Sequence, residues 1–399
     1  MSDFKPILRF LIMSDVHIHE NKDCRELVRL DKGMKDAYAY ADSQEYKPLD
    51  AIFVVGDFAN SGKETEMLNF KEVFDANIRP ETYYYFTVAS HEYGSGIEET
   101  HERMRRIFKM EPDLHKVIKG YHFIMVTPDH GCRFEQPQKA YAAAELKKAF
   151  DDDADKPIFF FQHPHVTGTV TGSVYWGEDD LTPILMNFPQ VIDFSGHSHA
   201  PVNDPRSIHQ RHFTCLGTGS LSYFELDEFD KYYYTFPEDK EKQAQFLIAE
   251  VDADNRVLIR AFDILTGKFF PCDRLIEPPF EPENFRYTDE RYNTTVRPYF
   301  EDNAGISTVK TAEGLLVTFD QAKIDEDMID DYKLTIRRAS DNKIVRQICA
   351  WSHYYLMEMP DTVTIPVFGL DAGRYTAEVQ AQGFWNNKSV NKLRTEFSI

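Results

Sequence analysis

The stretch ILRFLIMSDVH, from Ile7 to His17, decides the fold class. Its first part, Ile7 to Met13, is an apolar run interrupted only by Arg9, and Ser-Asp follows directly. A short apolar run of this kind predicts a strand that is buried on both faces, as in a parallel sheet. The polar residues Asp15 and His17 then stand just beyond the carboxyl end of that strand, where they can serve a functional site.

The same pattern recurs along the chain, with Gly, Ser, Asp or His close behind each apolar run. Further strands are predicted at Ala51–Val55, Tyr83–Val88, Phe123–Val126, Ile158–Phe161 and Val191–Phe194. Helical periodicity lies between them, at Cys24–Ala41, Glu64–Phe74, Glu98–Phe108 and Ala140–Phe150. Strands that alternate with helices predict an α/β layered domain. After Pro201, runs at Phe213–Leu216, Gln245–Val251 and Val257–Phe262 predict a second sheet that closes the same domain.

A chain of 399 residues is too long for one ordinary core, so we expect two domains. Clustered prolines at Pro278, Pro279 and Pro282 resist helix and central strand, and they predict a linker at 277–284. Residues 1–276 then form the α/β domain and residues 285–399 a second one. Alternating strands predict an all-β sandwich of immunoglobulin or fibronectin type III style there, at Gly314–Phe319, Tyr332–Arg338, Thr362–Val367, Arg374–Gln382 and Leu393–Ser398.

Composition excludes several classes of partner. The formal net charge of -21 and a pI near 5.1 give no basic field for a phosphate backbone, so duplex nucleic acid is not expected as a partner. The five cysteines are scattered without C-x-x-C spacing, which favours a reducing compartment. No apolar run is long enough to span a bilayer, so we expect no membrane partner and a cytoplasmic protein.

Five short polar elements stand in order at predicted strand ends: Asp15-Val16-His17, Gly56-Asp57, Ser90-His91-Glu92, His163 and Gly196-His197-Ser198-His199. Imidazoles and carboxylates together suit divalent Mn, Fe, Zn, Ni or Co. Residues two apart share a face of a strand, so Asp15 can converge with His17 and His197 with His199. Asp57 follows a buried strand, and a carboxylate there can bridge two ions.

From about Leu8 to Pro201 these elements resemble the calcineurin-like metallophosphoesterases, whose pattern is D-x-H, G-D, G-N-H-[DE], a lone H and G-H-x-H. The resemblance implies a four-layer αββα fold with two divalent metal ions. It places the first ion on Asp15, His17, Asp57 and His199, and the second on Asp57, His163 and His197. Where the family has Asn, this chain has Ser90. A hydroxyl is a poorer donor than an amide carbonyl, so we expect a weaker second site, with Ser90 binding directly or through water.

The resemblance also implies a function, hydrolysis of a small phosphorylated substrate as a phosphodiesterase or phosphomonoesterase. A metal-bound hydroxide would attack phosphorus in line, with Asp57 bridging the ions and His91 stabilising or protonating the leaving-group oxygen. Two alternatives stay open. In the first, Ser90 in place of Asn leaves a site with one tightly held metal ion and altered hydrolytic or eliminative chemistry. In the second, the chain is a non-catalytic scaffold that binds another protein.

Several residues have two interpretations from sequence alone. Ser90 either approaches the second metal or caps a turn. Gln162-His163-Pro164 allows a second register with Gln162 as ligand, although His163 fits the strand end better, and His165 is then a pocket or surface residue. Glu92 either orients a neighbouring group or lies on the surface. Five loop residues either line the substrate pocket or take part in ordinary loop packing: Tyr93, Asp129, His130, Tyr175 and Trp176.

The role of the second domain is also open on sequence alone. It can recognise carbohydrate or protein, form a homo-oligomer, or cover part of the first domain.

Overall fold

The computed structural model describes residues 4–129, 131–226 and 239–399. Within these, the chain divides into two compact units, of which the first ends at Thr288 and the second comprises Asp289–Ile399. The segment 277–284 belongs to the first unit in this division. Just beyond this segment, the backbone N–H groups of Arg286 and Tyr287 donate to Gln210 Oε1 of the first unit, at 2.9 and 3.0 Å. The boundaries 1–276, 277–284 and 285–399 themselves stay a prediction.

The first unit alternates strands and helices and then continues with strands. Its first half contains β1 (Pro6–Met13), α1 (Arg25–Ser43), β2 (Ala51–Val55), α2 (Glu64–Asn77), β3 (Tyr83–Thr87), α3 (Ile97–Arg103), β4 (Leu114–Ile118), β5 (Tyr121–Met125) and α4 (Gln136–Asp152). Its second half contains β6 (Ile158–Phe161), β7 (His165–Val166), α5 (Ser173–Trp176), β8 (Gly177–Glu178), α6 (Thr182–Leu185), β9 (Val191–Ser195), β10 (Ile208–Gln210), β11 (Thr214–Gly217), β12 (Gln245–Asp252), β13 (Val257–Asp263), β14 (Lys268–Phe269) and β15 (Arg274–Ile276).

These strands form two large mixed sheets. The first has the order β14-β13-β12-β1-β2-β3, with β15 also paired to β13, and β1, β2 and β3 are parallel. The second has the order β10-β11-β9-β6-β5-β4, with a parallel centre from β11 to β5 and antiparallel edges. Parallel centres bring the carboxyl ends of several strands to one edge of each sheet.

The two sheets pack face to face through a layer of phenylalanines. The ring of Phe10 on β1 lies 5.2 Å from that of Phe123 on β5, and the ring of Phe53 on β2 lies 4.3 Å from that of Phe161 on β6. The alternate residues of the strands point outward, where α1 and α2 cover the first sheet and α4 covers the second. The predicted four-layer αββα architecture is confirmed.

Strand β4 was not predicted from the sequence. It forms a hairpin with β5 across Lys119-Gly120, both of which have positive φ angles of 53° and 78°. A two-residue loop with both φ angles positive corresponds to a type I′ turn, which favours Asn or Asp before Gly. The lysine at the first position hides the turn from a sequence reading.

The described part of the second unit is all-β apart from a 3-10 helix at Asp289–Asn293. Its strands are β16 (Ile306–Lys310), β17 (Leu315–Asp320), β18 (Ile329–Arg338), β19 (Ile344–Trp351), β20 (Thr362–Val367), β21 (Arg374–Gly383) and β22 (Leu393–Ser398). They form two antiparallel sheets, β16-β17-β20 and β19-β18-β21-β22. Buried residues of both sheets share one apolar core. This is consistent with the predicted β-sandwich, in which β16 and β19 were missed because few of their side chains are buried.

The described residues include no helix with the length and apolar character needed to cross a bilayer.

Candidate metal centre

The candidate ligands follow the carboxyl ends of parallel strands, as the sequence predicted. The structure places Asp15 and His17 after β1, Asp57 after β2, Ser90 and His91 after β3, His163 after β6, and His197 and His199 after β9. The side chains of Asp15, His17, Asp57, His163 and His199 are almost completely buried, whereas His91 is exposed. Both sheets thus contribute to one site at the same edge of the sandwich.

One group of ligand atoms comes from Asp15, His17 and His199. The carboxylate Oδ1 of Asp15 lies 3.3 Å from His199 Nε2 and 3.9 Å from His17 Nε2. The two imidazole Nε2 atoms lie 3.1 Å from each other. The ligand atoms of these three residues are close enough to hold one metal ion.

A second group comes from Asp57, His163 and His197, whose ligand atoms also lie within reach of one ion. His163 Nε2 is 3.1 Å from Asp57 Oδ2. This nitrogen is buried, yet among the described residues it has no hydrogen-bond partner of acceptable geometry. Asp57 also groups with His17 and His91, so its carboxylate lies between the two candidate ion positions.

The register question at residues 162 and 163 has a clear geometric outcome. His163 points into the cluster, whereas Gln162 Nε2 donates to Asp193 Oδ2 at 3.0 Å. His165 is neither a pocket nor a surface residue, because it is buried with Nδ1 and Nε2 each 2.7 Å from a serine hydroxyl, Ser195 and Ser198. Ser198 separates His197 from His199, so His165 fixes the loop that carries both.

Backbone carbonyls set the tautomers of the candidate ligands. The Nδ1 atoms of His163 and His199 lie 2.7 Å from Val55 O and 3.1 Å from Tyr223 O. A carbonyl oxygen only accepts hydrogen bonds, so each Nδ1 carries the proton and donates it. The Nε2 lone pairs then point into the cluster, together with carboxylate oxygens. Convergent lone pairs with outer N–H groups held in this way are typical of metal ligands, so the residues present fit two divalent ions.

Electrostatics within the cluster also favour a bound positive charge. Burial lowers the pKa of His163, but the charges of Asp57 and Asp15 outweigh burial and raise that pKa to about 10. Burial raises the pKa of Asp57, but the charge of His163, 3.1 Å away, outweighs burial and holds the pKa below its usual range. Burial is likewise outweighed at His199, whose pKa the charge of Asp15 raises, so protons on His163 and His199 balance the carboxylates when no metal ion does so.

The backbone is strained where the ligands sit. Asp15, His17, Asp57, His197 and His199 all have φ angles between 50° and 73°, a region that residues with a side chain rarely occupy. Non-glycine residues in such conformations cluster at functional sites. These turns direct each side chain off its strand end and into the shared cluster.

Glycine is required beside the strained residues. Gly56 has a φ of 78°, and a Cβ atom there would lie 2.5 Å from His163 Nδ1. The chain can therefore turn tightly at Gly56 only because this residue has no side chain. Its absence also lets the ring of His163 approach the backbone that precedes Asp57.

Glu92 is a buried positioning residue rather than a surface residue. Its carboxylate accepts hydrogen bonds from the backbone N–H groups of Asp57, Ala59 and Ala89, at 3.0, 2.7 and 2.8 Å. Burial raises its pKa to about 8, and the N–H groups of Ala59 and Ala89 oppose that rise. The loop of Asp57 and the loop of Ser90 are therefore held together by one side chain.

Ser90 and His91 both contact the shared carboxylate. Ser90 Oγ lies 3.5 Å from Asp57 Oδ2 and donates to it, and the backbone N–H of His91 donates to Asp57 Oδ1 at 3.0 Å. The imidazole Nδ1 of His91 donates to Asn60 O at 2.6 Å. Its Nε2 is then the nitrogen available on the exposed side of the cluster.

The other candidate pocket residues have mixed outcomes. Trp176 packs its ring edge-on to His197 with centroids 4.9 Å apart, so it does line the cluster. Tyr93 donates to Pro128 O, and Asp129 accepts from Gln138 at 2.8 Å, which are ordinary loop contacts. Tyr175 is half exposed. His130 lies outside the described residues.

Sequence reasoning missed two residues at the centre. Ser14 Oγ donates to Asp15 Oδ2 at 2.5 Å, and Cys132 Sγ lies 3.3 Å from His197 Nε2. Ser14 adjoins a predicted ligand, which could have drawn attention to it. Cys132 lies in a loop between β5 and α4 and carries no sequence signal.

Fold and cluster together form a candidate centre for two metal ions at one edge of an αββα sandwich. The calcineurin-like phosphoesterase family matches residues 8–201. The match covers just under half of the chain, and that family consists of two-metal hydrolases that act on phosphoester bonds. A sequence search of curated proteins finds no match.

Solved structures show likeness in fold. The purple acid phosphatase PPD1 from yellow lupin (Lupinus luteus) seeds is similar with a TM-score of 0.50 and 14% identity, over 68% of this chain and 53% of that one. The chain thus spans about half of that phosphatase.

Two further structures are more distant. The sulfate thiohydrolase SoxB from Thermus thermophilus matches with a TM-score of 0.38 and 10% identity, over 71% of this chain and 59% of that one. A phosphatase from Mycoplasma pneumoniae matches with a TM-score of 0.33 and 12% identity, over 68% and 95%.

Proposed function

We propose that the protein hydrolyses phosphoester bonds of a small organic phosphate with two divalent metal ions. The observation that carries the proposal is the pair of three-residue clusters, Asp15 with His17 and His199 and Asp57 with His163 and His197, which a third group of His17, Asp57 and His91 connects. Asp15, His17, Asp57 and His199 would hold the first ion. Asp57, His163 and His197 would hold the second, with Ser90 beside it. Bound ions of this type lower the pKa of coordinated water and offset charge on a phosphoryl group.

The chain's own residues supply positioning and proton handling. Because Nδ1 of His91 donates to Asn60 O, the exposed Nε2 is the atom that meets a substrate. A neutral imidazole accepts at that atom, and an imidazolium donates from it to a leaving-group oxygen. Glu92 and His165 hold the loops that carry the candidate ligands.

Charge and architecture bear on the partners. With a net charge of -21, the surface repels polyanions, so we favour a small phosphorylated substrate drawn to the ions over duplex nucleic acid. We also propose that the second unit is an immunoglobulin or fibronectin type III-like sandwich that contacts a protein or a second copy of the chain. Its two antiparallel sheets of three and four strands support the sandwich.

The position of Ser90 supports the one-metal alternative. Its hydroxyl hydrogen points to Asp57 and engages the carboxylate that the ions would share. A second ion held more weakly than the first would leave a one-metal site with altered hydrolytic or eliminative chemistry. Retention of both clusters argues against the non-catalytic scaffold, which has no need of them.

Hydrolysis of a chromogenic phosphodiester and of the matching monoester tests the proposal. Metal-stripped protein is resupplied with Mn, Ni, Co or Zn, and bound metal per chain is measured in parallel. We expect metal-dependent turnover that Asp57→Asn abolishes and that Asp254→Asn, a change at an exposed carboxylate, leaves intact. Two bound ions with no turnover on either ester would contradict the proposed hydrolase, and one bound ion would favour the one-metal alternative.

A further inference from the structure

Four titratable side chains form a continuous row apart from the candidate metal centre. In this row, Glu145 Oε2 lies 2.6 Å from His115 Nδ1, His115 Nε2 lies 2.8 Å from His122 Nδ1, and His122 Nε2 lies 3.0 Å from Asp152 Oδ2. His115 is on β4, His122 on β5, and both carboxylates are on α4. We call these four residues the histidine row.

The histidine row lies far from the candidate metal centre. His122 pairs with Ile158 at the start of β6, whereas His163 follows the end of that strand. Five residues of extended chain span roughly 16 Å. An ion at one place therefore cannot share ligands with an ion at the other.

Counting protons shows that the row is incomplete. Ionised carboxylates only accept hydrogen bonds, so His115 Nδ1 and His122 Nε2 must each carry a proton and donate it to Glu145 and Asp152. A neutral imidazole has one N–H group, and here both are used. The inner nitrogens, His115 Nε2 and His122 Nδ1, then present lone pairs to each other at 2.8 Å. Such a contact is repulsive unless a cation, either a proton or a metal ion, is bound between the two nitrogens.

The same arrangement occurs at the candidate metal centre, where His17 Nε2 and His199 Nε2 face each other at 3.1 Å. There the outer Nδ1 of His199 is held by a backbone carbonyl. In the histidine row, carboxylates accept the hydrogen bond from the outer N–H group of both rings. A carboxylate that accepts from the outer N–H of a histidine is a usual support of a metal-binding imidazole.

We propose that His115 and His122 bind a divalent transition-metal ion, with Glu145 and Asp152 orienting the two rings. Imidazole nitrogens select ions such as Zn, Cu and Ni over Mg and Ca. Lys148 holds the other oxygen of Glu145, which keeps that carboxylate directed at His115. The two protein ligands leave the remaining coordination positions to water. The ion would join the two strands of the β4–β5 hairpin, and the carboxylates of Glu145 and Asp152 hold its two imidazole ligands to α4.

The test uses full-length protein carrying His17→Gln, His163→Gln, His197→Gln and His199→Gln, so that the candidate metal centre keeps none of its four imidazole ligands. Cu²⁺ is titrated in, bound copper is counted after dialysis, and pulsed EPR counts the coordinated imidazoles. We expect one tightly bound Cu²⁺ with two imidazoles. Adding His122→Gln should weaken binding at least tenfold. Adding His212→Gln, which removes an exposed imidazole, should change nothing.

Equal Cu²⁺ affinity with and without His122→Gln would overturn the proposal. So would the absence of bound copper together with ¹⁵N NMR signals of an imidazolium, since a shared proton would then be the cation. Circular dichroism checks that each variant is folded. Should His122→Gln unfold, the imidazole count in the background without the four histidines of the candidate metal centre decides alone, and a count of zero or one overturns the proposal.

Discussion

Asp193 offers a direct test of the electrostatics inside the second sheet. It lies in β9, is fully buried, and its Oδ2 accepts a hydrogen bond from Gln162. Burial raises its pKa from 3.8 to about 8. Because the folded pKa exceeds the unfolded one, the folded state keeps a proton that the unfolded chain releases between about pH 4 and pH 8. The free energy of unfolding must therefore fall as pH rises through that range, by up to about 1.4 kcal/mol per pH unit.

Asp193→Asn removes this dependence, since an amide does not titrate and Oδ1 can still accept from Gln162. Urea unfolding of the metal-free protein between pH 5 and pH 8 measures the effect. We expect the free energy of unfolding of the variant to exceed that of the wild type by an amount that grows as pH rises. At pH 7 the difference should reach at most about 4 kcal/mol. Asp254→Asn, at an exposed carboxylate, is the matched control. Parallel pH profiles for the wild type and Asp193→Asn would refute the reasoning.

Three further predictions concern the candidate metal centre. Ser90→Asn supplies an amide carbonyl, so the second ion should bind roughly tenfold more tightly in a chelator competition; unchanged affinity would show that residue 90 does not reach the ion. His91→Asn should slow hydrolysis of an alkyl phosphoester about 100-fold but leave a nitrophenyl ester, whose leaving group needs no proton, within a few fold; equal losses in kcat would contradict the proton-donor role. Glu92→Gln turns one acceptor into a donor facing backbone N–H groups, so thermal unfolding above pH 8, where Glu92 is ionised, should reveal a loss of about 2 kcal/mol, and an unchanged Tm would contradict the positioning role.

Much of the fold could be predicted because apolar runs report burial directly. Strands such as β1 and β2 are buried along most of their length, and the predicted and observed bounds nearly coincide. Strand β19 was missed because most of its side chains are not buried, so its sequence lacks alternation. Strand β4 depends on the unusual turn at Lys119. Edge strands are set by pairing with a neighbour, which a single sequence does not reveal.

The candidate site was predictable as far as its residues adjoin strand ends. Asp15 and Asp57 were selected because they follow predicted buried strands, and His163 by counting along its strand; the structure brings the three together. Glu92 could not be assigned, because its three backbone donors come from two separate loops. Cys132 reaches His197 from a distant loop, and only the folded chain brings these two together. The metal ligands themselves stay a proposal until bound ions are measured.

The left-handed backbone at the five candidate ligands has a consequence for how the protein responds to chelators. Such a conformation costs a residue with a side chain roughly 1–2 kcal/mol, and Asp15, His17, Asp57, His197 and His199 all adopt it. Cation binding and the ordering of these loops are therefore one coupled equilibrium. Removing the ions should therefore raise the rate of amide hydrogen exchange in the loops at this edge, whereas the strands that carry the phenylalanine layer between the sheets should stay protected.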